Sequence, residues 1–263
     1  MIRRSISIRR RGAICGATLS GSALLRVFHF VSPPSFRVTA YSLPELPVGI
    51  GPKQQVDIIL ANPPFGAGIA EGVETNFPQS YRCRESADLF VILMIQLLKP
   101  GGRAAIVLPD GCITGDGYKE RIREKLLTDC NLHTIVRLPQ STFHPANVST
   151  NLLFFEKGTP TKDIWYYEHA LPDEQKSYSK TKPIQFEEFA PMIEWWDNRE
   201  ENEVAWKVTL NDLKKGFDLN EKNPNSTIEQ REMSVAECLK EFRKSLDRAG
   251  KALTLIEKEY SGR

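Results

Sequence analysis

The sequence predicts an α/β protein with a partial, mainly parallel sheet, a C-terminal extension and a coiled-coil-type helix. Three observations carry this. Short β-branched apolar runs read as buried strands, amphipathic stretches alternate with them, and a heptad seam closes the chain. A length of 263 residues holds one large domain, or one domain and an extension, at roughly 100–200 residues per domain.

The first strand is Val56-Asp57-Ile58-Ile59-Leu60. It stops at Asn62-Pro63-Pro64-Phe65-Gly66, because neither proline offers a ladder N–H. The chain therefore leaves the sheet at a carboxyl end, the edge where ligands bind in open α/β sheets. Ser86 to Leu98 reads as a helix, with Ser86 as its cap and Asp88 near its positive end. Phe90, Leu93, Met94, Leu97 and Leu98 form its apolar face, and Lys99-Pro100-Gly101-Gly102 ends it. Arg103 to Leu108 is a second strand, closing on Pro109-Asp110-Gly111. Residues 117–130 form an amphipathic helix with Ile122, Leu126 and Leu127 inward. Leu132 to Leu138 is a third strand, and Leu152 to Phe155 a fourth, after Ser149-Thr150-Asn151. This alternation implies a parallel sheet, with room for an antiparallel strand at its edge.

The residue types at the turn suit one chemistry. An exocyclic amine on an aromatic ring is a poor nucleophile, because its lone pair is delocalised into the ring. Two acceptors that hold its N–H bonds off the ring plane localise that pair. The Asn62 side-chain oxygen is one candidate acceptor and the Pro63 carbonyl, aimed by the rigid Pro63-Pro64 backbone, is the other. Phe65 offers a flat face for an extruded base. Transfer of a methyl group to such an amine is a direct displacement and needs no Cys or Ser nucleophile. The competing reading is a stiff turn, for which Asn and Pro are also suited. The preceding strand and the following glycines, Gly66, Gly68 and Gly72, favour function. Asn62-Pro63-Pro64-Phe65 resembles the motif of amino-methyltransferases, which implies action on adenine N6, cytosine N4 or glutamine amides with S-adenosylmethionine.

Composition sets limits. The apolar share is 41%, and no run of about 18 apolar residues reads as a membrane span. The five cysteines are scattered without a CxxC pair, and the four histidines have no ligand spacing. No metal is expected, and a reducing cytoplasm fits best. The net charge is +2, but residues 1–44 hold seven arginines and no acid, which leaves −5 for the rest. Any affinity for DNA thus comes from a local patch or a partner.

Four sets of stretches resemble the modification (M) subunit of bacterial type I restriction-modification systems. They are DIILANPPFG, SADLFVILMIQLLKPGGRAAIVLPDG, LHTIVRLP with FHPANVSTNLLFFEKG, and the later IWYYEH, YSKTKPI and DLNEKNP, spanning residues 55–263. The resemblance implies a Rossmann-like S-adenosylmethionine-dependent methyltransferase sheet. It also implies N6-adenine methylation of double-stranded DNA, with sequence choice delegated to a specificity subunit. Two M subunits and one specificity subunit would form the methylase, and restriction subunits would complete the nuclease. Under it, Asn62, Pro63, Pro64 and Phe65 do the chemistry. Asp110 is a pocket residue or a turn former, and Thr150 and Asn151 meet DNA or cap the start of a strand. His144 reads as loop packing, and Trp195 and Trp196 as core or interface anchors.

The expected organisation follows. Residues 1–54 are a divergent segment, disordered or misassembled, with a basic arm or a targeting peptide as the other readings. Residues 55–158 are the catalytic half, and 159–232 a family-specific extension. Residues 233–263 form a helix whose seam is Val235, Leu239, Phe242, Leu246, Ala249, Leu253, Ile256 and Tyr260, suited to a partner's coiled coil or to its own domain. A whole enzyme of this kind has an earlier strand, a Gly-rich turn and an acid about 20 residues on for the cofactor's ribose. Gly12, Gly16 and Gly21 follow no strand pattern, and the first acid is Glu45. The chain reads as N-terminally truncated, and weak or no binding of S-adenosylmethionine by the chain alone is expected. Two other functions stay open: an inactive fragment that only binds the specificity subunit, and an RNA or protein-glutamine methyltransferase.

Overall fold

The computed structural model describes residues 51–225 apart from 144–146, 173–174 and 214, the backbone of three earlier strands, and parts of a helix between 239 and 253. Two compact units, Met1–Asn225 and Ser226–Arg263, are each considered separately.

The first unit is built on a nine-stranded sheet. In chain order its elements are β1 (Ile6–Ser7), β2 (Leu25–Ser32), β3 (Ser35–Tyr41), β4 (Val56–Ala61), α1 (Ser86–Leu97), β5 (Leu98–Pro109), α2 (Asp110–Ile113), α3 (Tyr118–Asp129), β6 (Cys130–Leu138), β7 (Thr150–Lys157), β8 (Asp163–Glu168), α4 (Ala190–Asp197) and β9 (Ala205–Thr209). The strand order is β1-β3-β2-β4-β5-β7-β6-β8-β9. β4 and β5 are parallel, joined through α1, and β6 and β8 are parallel. Helices lie on both faces, α1 and α3 over one core and α4 over the other. This is the α/β arrangement expected from the alternation of strand and helix.

Antiparallel strands stand at the edges, as expected, β9 against β8 and β1 against β3, but one also lies inside the sheet. β7 lies inside the sheet, antiparallel to both β5 and β6. The reason is the link before it: a parallel return from β6 needs a crossover of a dozen or more residues, usually a helix. The described residues of this short link, 139–143 and 147–149, hold no helix, and the chain folds back into the gap.

Other elements differ in detail. α1 is buried on nearly every side from Ser86 to Leu97, with only Gln96 standing out, where one apolar face was expected. A helix apolar all round belongs in an interior, and SADLFVILMIQL is such a helix. Its N-cap is Glu85 rather than Ser86, without a side-chain capping bond. Lys99-Pro100-Gly101-Gly102 is a bulge within β5: Val56 pairs with Leu98, yet Ile58 pairs with Arg103. Gly102 is required there, since a Cβ would sit 2.9 Å from the Lys99 carbonyl oxygen and 3.2 Å from that of Asp57. Lys99 closes the bulge with an ion pair to Asp57 at 2.9 Å. β2 and β3 form a hairpin, LRVFHFVS against SFRVTAY, within residues 1–54, where the sequence carried no clear period. Residues 159–232 add β8, β9 and α4 to the same sheet.

Trp195 and Trp196 anchor the second core, as expected. Trp195 packs on Trp165 and Tyr167 and donates its indole N–H to the Glu200 carbonyl at 2.9 Å, while Trp196 packs on Phe154. Leu219, Asn220 and Glu221 of DLNEKNP bind across the carboxyl edge. The Tyr166 hydroxyl donates to the Leu219 carbonyl at 3.1 Å, and Arg137 donates to Asn220 Oδ1 and to the Glu221 carbonyl.

In the second unit the described residues between 239 and 253 are helical. Leu239, Phe242, Leu246 and Leu253 of the heptad seam are each more than half exposed. Val235, Ala249, Ile256 and Tyr260 lie outside the described residues, as does His144 of the first unit.

Candidate active site

The end of β4 delivers Asn62 to the carboxyl edge of the sheet. The three following residues differ in their setting. Asn62 is exposed, Pro63 is buried, and Pro64 and Phe65 are half-buried. The Asn62 carboxamide makes no hydrogen bond to another described residue, so its oxygen is available to an incoming N–H. Pro63 seats the turn in the core, directly after buried Ile59 and Ala61. Gly66, at φ 65°, lets the chain reverse after Phe65.

The loop beyond the turn is fastened to the start of α1. The Ser86 hydroxyl donates to the Pro64 carbonyl at 3.0 Å, and the Ser86 N–H to Ala67 O at 3.2 Å. Gly68 pairs with Glu85, and the Ile69 N–H donates to Arg84 O at 3.1 Å.

Phe65 is joined by an aromatic residue that the sequence did not single out. Phe143, in the link between β6 and β7, meets it edge to face, with centroids 5.4 Å apart and planes at 90°. The signal was present in Phe143-His144-Pro145, an aromatic beside a proline in a link leaving the same sheet edge. The two rings are 78 positions apart, and only the strand order brings them together.

Asp110, Thr150 and Asn151 gather at a second place on this edge, at the ends of β5 and β6 and the start of β7. They line a cavity of about 230 Å3 with Arg137 and Glu168. Asn62 and Phe65 do not line it. The Asn151 amide donates to Asp110 Oδ1 at 2.8 Å, and the Asp110 N–H donates to the Ser149 carbonyl at 3.1 Å. Thr150 and Asn151 are 1% and 0% exposed, so of the three only Asp110 reaches solvent.

A charge pair of partly exposed Lys119 and buried Asp88 joins the helices. Lys119 Nζ stands 3.0 Å from Asp88 Oδ2 and donates to the Gly111 carbonyl at 2.6 Å, tying α1, α2 and α3 together. Burial pushes the Asp88 carboxyl above its ordinary value, against the pull of Lys119. Burial also opposes the charge on Lys119, but its bond to the Asp88 carboxylate prevails and holds the ammonium above the usual value. The thiols are unsuited to attack. Burial pushes Cys83 up to about 11 and Cys130 up to about 12, and raises Cys112 as well. Among the described residues no group of three His, Cys, Asp or Glu could hold a metal ion, and no helix is long and apolar enough to cross a membrane.

This geometry pairs an exposed acceptor with aromatic faces, which suits transfer to an amine by direct displacement. Comparison with known proteins places the chain in a family. The model of the family described as N-6 DNA Methylase matches residues 41–233. The chain belongs to the N-6 DNA methylase family. It is 52% identical over 180 residues to the type I restriction enzyme EcoEI methylase subunit of Escherichia coli, covering 65% of this chain and 37% of that protein. It is 34% identical over 173 residues to the EcoKI methylase subunit of E. coli strain K12, covering 56% and 32%. Among solved structures, a modification subunit assigned to a type I restriction enzyme of Vibrio vulnificus YJ016 matches with TM-score 0.63 and 42% identity, over 70% of this chain and 40% of that one. A chain from work on complex assembly and conformational transition of the type I restriction-modification system matches with TM-score 0.64 and 34% identity, over 79% and 46%. The chain thus spans about a third of the length of the curated relatives it matches.

S-adenosylmethionine, the donor this family implies, fits the described residues only in part. Asn62 and Phe65 suit the acceptor's side of the transfer. On the other side of β4 runs β2, antiparallel, so its first residue, Leu25, lies beside Ala61. A parallel strand would instead end there in a βα turn, with backbone N–H groups facing the ligand. Among the described residues, no helix start or carboxylate stands there to hold the donor's nucleoside.

Proposed function

We propose that this chain is the base-holding part of a DNA adenine-N6 methyltransferase of the type I modification-subunit kind, acting on duplex DNA in the cytoplasm. The single observation that carries the reading is the exposed Asn62 carboxamide, without a described partner, beside the Phe65–Phe143 pair. The Asn62 oxygen and the Pro63 carbonyl accept the two N–H bonds of the adenine amine and localise its lone pair. Phe65 covers one face of the extruded base, a contact that does not depend on sequence context. S-adenosylmethionine supplies an electrophilic methyl group when bound. The methylated nitrogen gives its proton to solvent water, and no side chain of the turn titrates in the process.

Asp110 borders the substrate, with Asn151 and Thr150 acting through it from the buried side. Specificity for sequence lies with a separate subunit that docks on the apolar seam of residues 233–263. The four exposed seam side chains, from Leu239 to Leu253, support this. A second copy and a restriction subunit complete the assembly.

The test is methyl transfer from labelled S-adenosylmethionine, with the chain assembled with its specificity subunit. Label should enter N6 of adenine in duplex DNA, and deletion of residues 233–263 should abolish co-purification of that subunit. Label entering RNA or a glutamine amide instead would replace the reading. An assembly that forms but transfers nothing would leave a binding fragment.

A further inference from the structure

We propose that Ser86 is a positioning residue for the turn. Its hydroxyl sets the one backbone torsion that the two prolines leave free, and so keeps Phe65 in register with Asn62 and the Pro63 carbonyl. The inference rests on reading the turn as an amine-holding site.

The prolines account for most of the turn's stiffness. The rings fix φ of Pro63 and Pro64 near −65°. Asn62 and Pro63 each precede a proline, which restricts both to extended ψ. The ψ of Pro64 has no such constraint, and it decides where Phe65 goes. The Pro64 carbonyl rotates with that torsion, and this is the oxygen that Ser86 holds at 3.0 Å. Ser86 is only 4% exposed, so water does not compete for the bond.

Ser86 is itself fixed. It is the first residue of α1, a helix buried along its length. Its N–H is committed to Ala67 O, and its neighbours Arg84 and Glu85 pair with Ile69 and Gly68. With the N-cap position taken by Glu85, the Ser86 hydroxyl is free to reach 22 residues back to the turn. The brace thus runs from the buried helix to the carbonyl that aims the aromatic ring. Losing it leaves the two acceptors and the ring present but unregistered.

The test separates the ring from the acceptors without requiring catalysis. Adenosine and purine riboside, which lacks the 6-amino group, are titrated into the full chain and followed by ligand-observed NMR. The wild type should bind adenosine roughly tenfold more tightly, the yield of two added hydrogen bonds. In Ser86→Ala, purine riboside should bind as before while the preference for adenosine falls to about twofold or less. Ser86→Thr should restore it, and Ser86→Cys, with a weaker donor, should fall between. Circular dichroism melts accompany each variant, and the Thr and Cys pair carries the test if Ser86→Ala does not fold. Loss of both ligands in parallel would mark a purely structural role and overturn the inference. So would a full preference retained in Ser86→Ala, which overturns the inference alone. A wild type without preference overturns both it and the amine-holding reading.

Discussion

Two places on one sheet edge are built in opposite ways. At the end of β4, Asn62 stands exposed with its carboxamide unpaired, on a turn whose neighbours are fastened. At the ends of β5 and β6, Asn151 has the same carboxamide at 0% exposure, with its amide spent on Asp110. The first arrangement costs little in the folded state, because water satisfies an exposed amide, and it leaves an acceptor ready for a ligand. The second contributes to the fold. Residue type alone does not separate the two roles; what separates them is burial and the bond from the Asn151 amide to Asp110, since the Asn151 oxygen, though buried, has no partner among the described residues either.

The largest expected effect breaks the comparison at the first place. In the assembled methylase, Asn62→Ala should lower kcat for adenine methylation on the order of 10²–10³-fold, the scale for removing one preorganised polar group from a reacting centre. Its stability in urea should stay within about 0.5 kcal/mol of wild type, as for an exposed site. Asn151→Leu should do the reverse, costing about 2 kcal/mol in the same urea titration through the lost bond from buried Asn151 to Asp110. If Asn62→Ala unfolds the chain, or Asn151→Leu leaves stability untouched, the contrast is wrong.

The sequence made the first place legible and the second only partly so. A β-branched strand running into two prolines fixes the edge at which the chain leaves the sheet, because proline cannot continue a ladder. Nothing local to Thr150-Asn151 says that β7 slips between β5 and β6. That placement follows from the shortness of the link between β6 and β7, which can be weighed only once strand neighbours are known. Phe143 escaped for the same reason, since its partner is distant in the chain. Ser86 looked like a helix cap because serine suits that position. Glu85 in extended conformation took the position instead, and the hydroxyl went to the turn. The β2–β3 hairpin was obscured by the Arg/Ser-rich residues around it, although LRVFHFV is dense in residues that suit strands.

A second contrast lies within the first place. Phe65 and Phe143 meet edge to face, so only one can present its full plane to a base resting between Asn62 and the ring pair. Phe65→Ala should weaken binding of purine riboside by roughly 5- to 100-fold, the range for one base–aromatic stack. Phe143→Ala should cost less, about threefold, as an edge contact does. NMR titration checks both, and a larger loss at Phe143 would exchange their roles. A related measurement concerns the donor. With β2 antiparallel beside β4, calorimetry on the isolated chain should detect no micromolar binding of S-adenosylmethionine.

The smallest effect is in pH, and it lies away from the turn. Asn62, Pro63, Pro64 and Phe65 carry no titratable side chain, so acid should reach the site only through the fold. His133 on β6 is the group to watch. Burial, aided by the nearby Arg199 cation, lowers its pKa to about 4. Its ring also meets Trp196 edge to face at 6.0 Å. Unfolded, it would titrate near 6.5. Because the folded value is the lower one, the unfolded chain takes up the proton first. Stability is therefore full above about pH 6.5 and declines as pH falls towards 4. His169 is lowered too, by burial against the opposing pull of Glu188, and adds in the same direction. After allowance for partial solvent access, the loss from His133 between pH 7 and 5 is on the order of 1 kcal/mol. His133→Gln should flatten that part of the urea midpoint against pH, leaving a shallower slope from His169. Nucleoside binding by the folded chain should stay level across the same range. A binding curve that instead follows protonation, with the fold intact, would mean that a titrating group borders the turn after all.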